Sequence, residues 1–335
     1  MIPAFFGLAG ATLDPAERAF FAEVEPAGYI LFRRNVVDRA QLRALTDALR
    51  ALSGRDDVPI LIDQEGGRVA RLQPPEWPLF PPAERFAQLY QAAPSSAMEA
   101  IRLNSLAIAL TLREVGINVD CLPLLDVRQP GAHDIIGDRA LGGEPMQVSA
   151  LGRATLQGLR EGGVVGVVKH IPGHGRAMAD SHLELPVVDA DEAALNIDIA
   201  PFMTLAAAPM AMTAHVVYTA WDAERCATLS PVVIARIIRG VIGFDGLLMS
   251  DDLGMKALAG EFGVRAAGAI CAGCDIALHC SGDLAEMQAV VAGLTEIEPA
   301  ARARLDRAMA TIAGSAAAIE LAEAMAARDR LLALV

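Results

Sequence analysis

Histidine, lysine and aspartate crowd into one stretch of this 335-residue chain. Lys169-His170-Ile171-Pro172-Gly173-His174-Gly175 is followed by Asp180-Ser181-His182, so three of the six histidines fall within thirteen residues. An oriented imidazole is a competent general acid or base near neutral pH. A carboxylate two residues away, as Asp180 is from His182, fixes the tautomer, aims the ring and raises its basicity. His170 and His174 have the i, i+4 spacing of zinc-binding helices. Pro172, Gly173 and Gly175 disfavour a helix here, so the segment is expected to be a loop with His174 as part of its scaffold.

Ionisable residues also end several short apolar runs. Asp63 follows residues 58–62, Asp126 follows 121–125, Lys169 and His170 follow 164–168, His215 follows 210–214, and Asp251-Asp252 follow 247–250. Each has a bland reading taken singly: an aspartate caps the next helix, or His215 is a hydrogen-bonded core histidine. Agreement across five runs favours a shared site. Consecutive side chains of an extended segment point to opposite faces, so only one of Asp251 and Asp252 is expected at that site, and the spacing leaves open which.

The elements that must position these residues alternate along the chain. Eight apolar runs read as strands, at residues 2–8, 29–32, 58–62, 117–122, 164–168, 210–214, 247–249 and 276–278. Segments of helical periodicity separate them. Asp14-Pro15 and Ser230-Pro231 offer a side-chain acceptor and a first-turn ring at helix starts. Ser96 and Glu99 have capping-box spacing for a helix running to about Glu114. Eight strand-helix units point to an α/β fold, a closed (β/α)8 barrel, with its chemistry at the C-terminal ends of the strands. No linker divides the chain, so residues 1–335 are expected to form one catalytic domain. Its tail from about Pro299 is expected to be helical and to pack outside the barrel.

Composition narrows the partners. A formal charge of −13 argues against a general nucleic-acid binder, which needs a basic surface. Arg68, Arg71, Arg139 and Lys169 remain candidates for a local basic pocket. The start Met1-Ile2-Pro3-Ala4-Phe5-Phe6 lacks a basic signal region, and no apolar run reaches membrane-spanning length. Five cysteines without framework spacing suit reduced thiols, so a cytoplasmic location is expected. Cys271-Ala272-Gly273-Cys274 reads as packing rather than redox chemistry, and no GxGxxG dinucleotide fingerprint is present.

Five segments together resemble a known family. They are Ile62-Asp63-Gln64-Glu65-Gly66-Gly67-Arg68-Val69 with Arg71, Pro123-Leu124-Leu125-Asp126-Val127, Gly137-Asp138-Arg139, the stretch 169–182, and Phe244-Asp245-Gly246 through Met255. The chain is similar to the single-domain bacterial β-N-acetylhexosaminidases of glycoside hydrolase family 3, the NagZ type. The resemblance implies a retaining mechanism without cofactor or metal. It makes Asp251 the nucleophile rather than Asp252, His182 the general acid/base and Asp180 its partner. Asp63, Arg71, Arg139, Lys169 and His170 match positions that hold the sugar.

The resemblance further implies a cytoplasmic enzyme that releases N-acetylglucosamine from anhydromuramoyl peptides in peptidoglycan recycling. Its partner would be a small carbohydrate, with no nucleic acid or membrane, and the chain is expected to be a monomer. Three departures from the family pattern stand out: Gly254 where Ser is familiar, Arg176-Ala177-Met178 in a variable stretch, and Ala140-Leu141 after Arg139. Competing expectations are a β-glucosidase of the same family, a sugar-binding protein on a decayed barrel, and a metal-dependent hydrolase. The last would draw ligands from His170, His174, His182, His215 and Asp251.

Overall fold

The structure, a computed structural model, describes residues 1–131, 136–179, 184–315 and 317–335. Its strands are β1 (Ile2–Gly7), β2 (Pro26–Leu31), β3 (Ile60–Ile62), β4 (Val119–Asp120), β5 (Val165–Ile171), β6 (Met210–Thr213), β7 (Leu247–Asp252) and β8 (Ile276–His279). They form one closed barrel in sequence order, with every pair parallel. Ala4, Phe5 and Phe6 of β1 pair with Ala277, Leu278 and His279 of β8 to close the ring. All eight expected strands are present. Regular pairing in β4 is shorter than residues 117–122, because Pro123 brings no N–H; the Leu122 and Pro123 carbonyls still accept from Val167 and Lys169 at 3.0 and 3.1 Å.

Alternation along the strands sorts two layers. Leu61, Val119, Val165, Val167, Met210, Met212, Leu247, Met249 and Leu278 fill the barrel interior. Ile60, Ile62, Val168 and Leu248 face the surrounding helices. The Asp14 carboxylate accepts from Ala16 and Glu17 amides at 2.8 Å, and the Ser230 hydroxyl accepts from Val233 at 3.0 Å, as those caps require. The capping box at Ser96 does not form. The helix Pro94–Glu114 begins two residues earlier with Pro94 in its first turn, which puts Ser96 inside it, and Glu99 pairs with Arg102 at 2.7 Å instead.

The tail is two helices with different roles. Leu321–Leu332 packs outside the barrel on the Pro94–Glu114 helix. Pro299–Ala310 instead closes the N-terminal end of the barrel, with Leu305, Ala308 and Met309 joining the interior cluster. Arg304 fastens it to Asp275 at 3.0 Å and Asp245 at 2.9 Å. A buried Leu truncated at this plug leaves a cavity the barrel cannot collapse into. Leu305→Ala is expected to lower stability by about 2–5 kcal/mol, read from urea unfolding midpoints, with KM unchanged because the plug lies at the opposite end from the mouth.

Candidate active site

At the C-terminal ends of the strands a cavity of about 300 Å³ is lined by Asp63, Arg71, Arg139, Lys169, His170 and Asp251. Residues from four regions of the sequence therefore meet at one mouth. Asp180 and His182 lie outside the described residues.

The floor of the cavity is a chain of alternating charges. Lys169, at the end of β5, places its ammonium 3.0 Å from Asp63 Oδ1 and 2.7 Å from Glu65 Oε1. Arg71 Nη2 bonds the other Asp63 oxygen at 3.1 Å, and Arg139 forks onto both Glu65 oxygens at 2.8 Å. Burial works against charge on Asp63, Glu65, Arg139 and Lys169. At Asp63 the Lys169 and Arg71 cations outweigh it, and at Glu65 Lys169 and Arg139 do, so both carboxyls are held below their ordinary values. Burial would lower Lys169, but Asp63 and Glu65 raise it above the usual lysine range. Isolated burial of such an ammonium costs several kcal/mol, so the pairs are obligatory. The alternating cations and carboxylates present many donors and acceptors, a suitable surface for sugar hydroxyls.

A short hairpin carries half of this chain. Gln64–Gly66 pairs antiparallel with Val69–Ala70, and the buried Gln64 side chain ties both arms by accepting from Arg71 and Leu72 amides at 2.9 and 3.0 Å. Gly66 turns it at φ +93, where an added Cβ would lie 2.4 Å from the Pro81 carbonyl. Its conformation and its space both require glycine.

Asp126 organises the next layer. One of its oxygens accepts from the His170 and His174 amides at 3.1 and 2.7 Å; the other accepts from His170 Nδ1 at 2.8 Å. Burial raises the Asp126 carboxyl, yet His170 outweighs it and brings it down to about 2. An ionised Asp126 only accepts, so His170 carries its proton on Nδ1 and keeps Nε2 for the cavity. His174 packs edge-on against His170 with ring centroids 5.6 Å apart; burial and the neighbouring imidazole pull it down to about 4, so it is neutral at pH 7. It does not line the cavity, in keeping with a scaffold role. Beyond it, Gly175 sits where a Cβ would be 2.0 Å from the Val127 carbonyl, Tyr218 bonds the Gly173 carbonyl at 2.7 Å, and Arg176 pairs with Asp198 at 2.5 Å.

The strands do not alternate strictly at the mouth. On β5 the register with β6 slips between Lys169 and Ile171, and on β7 the register with β8 slips between Met249 and Asp252. Asp251 follows Leu247 and Met249 toward the barrel interior, as period two demands. The slip then turns Asp252 to the cavity as well, contrary to the expectation that only one of the pair would face it. Their carboxylates are used differently. Asp252 Oδ1 accepts from the Gly254 and Cys280 amides at 2.9 and 3.0 Å, while Asp251 Oδ1 accepts from the Asp252 amide at 2.8 Å. An added Cβ at Gly254 would meet the Asp252 carboxylate at 3.1 Å.

Glu65 is not among the expected site residues, and Asp126 is expected only as a strand-end candidate without a role, although each stands in a segment that carries the family resemblance. Their clue was chemical: a buried Lys169 and a ring-oriented His170 both need acidic partners. His215, a strand-end candidate, has both ring nitrogens engaged, at 2.7 Å by Thr228 Oγ1 and at 3.0 Å by the Asp252 carbonyl. It has no lone pair left for a metal, which removes one ligand from the metal-hydrolase reading.

The model of the glycosyl hydrolase family 3 N-terminal domain matches residues 10–314. The chain belongs to glycoside hydrolase family 3. A β-hexosaminidase of Alkalilimnicola ehrlichii is 39% identical over 310 residues, covering 91% of this chain and 88% of the relative. One from Bordetella pertussis is 37% identical over 289 residues, covering 85% and 81%. The solved structure of NagZ from Neisseria gonorrhoeae in complex with N-trifluoroacetyl-D-glucosamine superposes with a TM-score of 0.88 at 31% identity, covering 99% of this chain and 97% of that one. The (β/α)8 barrel expected from the eight strand-helix units is therefore the fold, and the protein is a glycosidase.

Asp126 gives this family 3 site an acid limit. Its pKa falls from 3.8 to about 2 on folding, so its contribution is whole above about pH 4 and is lost as pH drops through about 2. The shift corresponds to about 2 kcal/mol. Urea unfolding of Asp126→Asn is expected to show a lower plateau near neutrality and a shallower loss of stability below about pH 4 than the parent protein. Parallel curves would exclude Asp126 as the linked group.

Proposed function

We propose that this protein is a retaining β-N-acetylglucosaminidase that removes terminal β-linked N-acetylglucosamine from sugar-1,6-anhydromuramoyl fragments in cytoplasmic peptidoglycan recycling, acting as a monomer. The observation that carries the reading is the position of Asp251, at the inward end of β7, on the same cavity as the Arg71, Asp63, Lys169, Glu65 and Arg139 chain. About 300 Å³ is the small end of the range for small-molecule sites and suits one sugar ring. The relatives named β-hexosaminidases, and the glucosamine derivative in the superposed structure, favour an N-acetylated sugar over glucose.

Asp63, Arg71, Arg139, Lys169 and His170 hold the sugar, with His170 aimed by Asp126. Asp251 attacks the anomeric carbon as His182 protonates the departing oxygen, which leaves a glycosyl ester on Asp251. Water, deprotonated by the same His182, attacks that carbon and frees the sugar with its β configuration. Asp180 orients His182 and balances the charge on its imidazolium. A histidine thus replaces the acid/base carboxyl of the common two-carboxylate scheme.

Mass spectrometry after trapping with a fluorinated N-acetylglucosaminide bearing a good leaving group tests the assignment. The expected label is on Asp251; label on another residue would overturn it. His182→Ala is expected to form the glycosyl-enzyme from p-nitrophenyl N-acetylglucosaminide yet to lose roughly 100-fold or more in kcat on a substrate with a poor leaving group, in line with general-acid contributions. Undiminished turnover of the poor leaving group would rule out its acid role.

A further inference from the structure

The slip in β7 interrupts its regular ladder pairing at Ser250 and Asp251. Pairing with β6 ends at Met249 with Met212, and pairing with β8 resumes at Asp252 with Leu278. On the β8 side the Ser250 hydroxyl fills the gap by accepting from the Leu278 amide at 2.9 Å. On the β6 side the gap is filled by three side chains in series, all fully buried: Thr213, Thr228 and His215. The Asp251 amide meets Thr213 Oγ1 at 3.3 Å, Thr213 Oγ1 meets Thr228 Oγ1 at 2.8 Å, Thr228 Oγ1 meets His215 Nδ1 at 2.7 Å, and His215 Nε2 meets the Asp252 carbonyl at 3.0 Å. The chain of contacts leaves the Asp251–Asp252 dipeptide at one end and returns to it at the other.

Chemistry at the two ends sets the direction of every proton. A backbone carbonyl only accepts, so His215 Nε2 bears hydrogen; a backbone amide only donates, so Thr213 oxygen accepts from Asp251. Burial lowers the His215 pKa, which keeps the ring neutral and makes Nδ1 an acceptor. Thr228 therefore gives its proton to Nδ1, and Thr213 gives its own to Thr228. The Ala214 carbonyl, 3.2 Å from Thr228 Oγ1, is the competing acceptor, and would take that proton only if Nδ1 carried one itself.

We propose that Thr213, Thr228 and His215 are positioning residues for the glycosylation step: a one-way hydrogen-bond relay that clamps the slipped backbone of Asp251 and Asp252 and so aims the Asp251 carboxylate at the anomeric carbon. The inference rests on Asp251 being the nucleophile. It goes beyond a core histidine satisfied for its own sake, because both ends of the relay land on main-chain atoms of the reacting segment. A second consequence is that His215 must hold one tautomer. The other would set the unprotonated Nε2 lone pair against the Asp252 carbonyl.

Three measurements test the relay on the full chain. In the parent protein, 15N NMR with labelled histidine, assigned by the signal lost in His215→Gln, is expected to show a neutral ring protonated on Nε2; a proton on Nδ1 would overturn the proposal without any variant needing to fold. Thr228→Val removes the hydroxyl at nearly constant volume, whereas Thr228→Ser keeps it. With p-nitrophenyl N-acetylglucosaminide, the Val variant is expected to lose roughly 10- to 100-fold in kcat with little change in KM, the size expected of a misaimed reacting group, while the Ser variant stays close to the parent. Trapping separates the two levels. Label on Asp251 with equal rates for the Val and Ser variants would overturn the relay alone, and label on another residue would overturn the nucleophile assignment and the relay with it.

Discussion

Burying the ammonium of Lys169 in a barrel mouth is possible only if acidic groups come to it, and much of the site follows from that demand. Asp63 arrives from the end of β3, and Glu65 from the hairpin just beyond it. Two buried carboxylates share that one ammonium, and Arg71 and Arg139 each add a second cationic partner, to Asp63 and Glu65 respectively. The hairpin and the turn Gly137–Arg139 are thereby tied to β5 through charge. Such a network is costly to half-complete, since removing one member strips charge compensation from the buried groups beside it. It holds the donors rigidly at the cavity wall, and rigid donors are what a sugar with many hydroxyls requires.

A second constraint is geometric. A regular strand shows every other side chain to one face, yet this mouth uses consecutive residues twice, Lys169 with His170 and Asp251 with Asp252. Register slips in β5 and β7 resolve the conflict, and each slip strands backbone groups that the ladder would otherwise satisfy. Side chains take over those bonds: Asp126 at the His170 amide, Ser250 at the Leu278 amide, Thr213 at the Asp251 amide. Polar residues that look idle at the strand ends are therefore the cost of placing two functional groups side by side.

The cavity is built from β3, β5, β7 and the segments that lean on them, and β5 continues into a loop. The loop is anchored independently of the chemistry, by Tyr218 on the Gly173 carbonyl, by Gly175 against Val127, and by Arg176 on Asp198. These anchors lead directly into the segment that holds Asp180 and His182.

The amino-acid sequence by itself determined the barrel, because eight apolar runs separated by capped helices leave few other ways to bury so many strands, and local pattern is a property of neighbouring residues. Asp63, Arg71, Arg139, Lys169, His170 and Asp251 also stand at strand ends or in distinctive motifs, and all six line one cavity. Tertiary structure alone decided how they are coupled. The pairing of Lys169 with Glu65, the grip of Asp126 on His170, and the shared outlook of Asp251 and Asp252 depend on groups from different strands and on slips in register, which carry no mark in a one-dimensional pattern. The same holds for the helix Pro299–Ala310, whose composition reads as an outer helix but which closes the barrel end, and for His215, whose role rests on partners thirteen and thirty-seven residues away. Periodicity is local, whereas charge compensation and backbone satisfaction are settled between segments that meet only after the chain has folded.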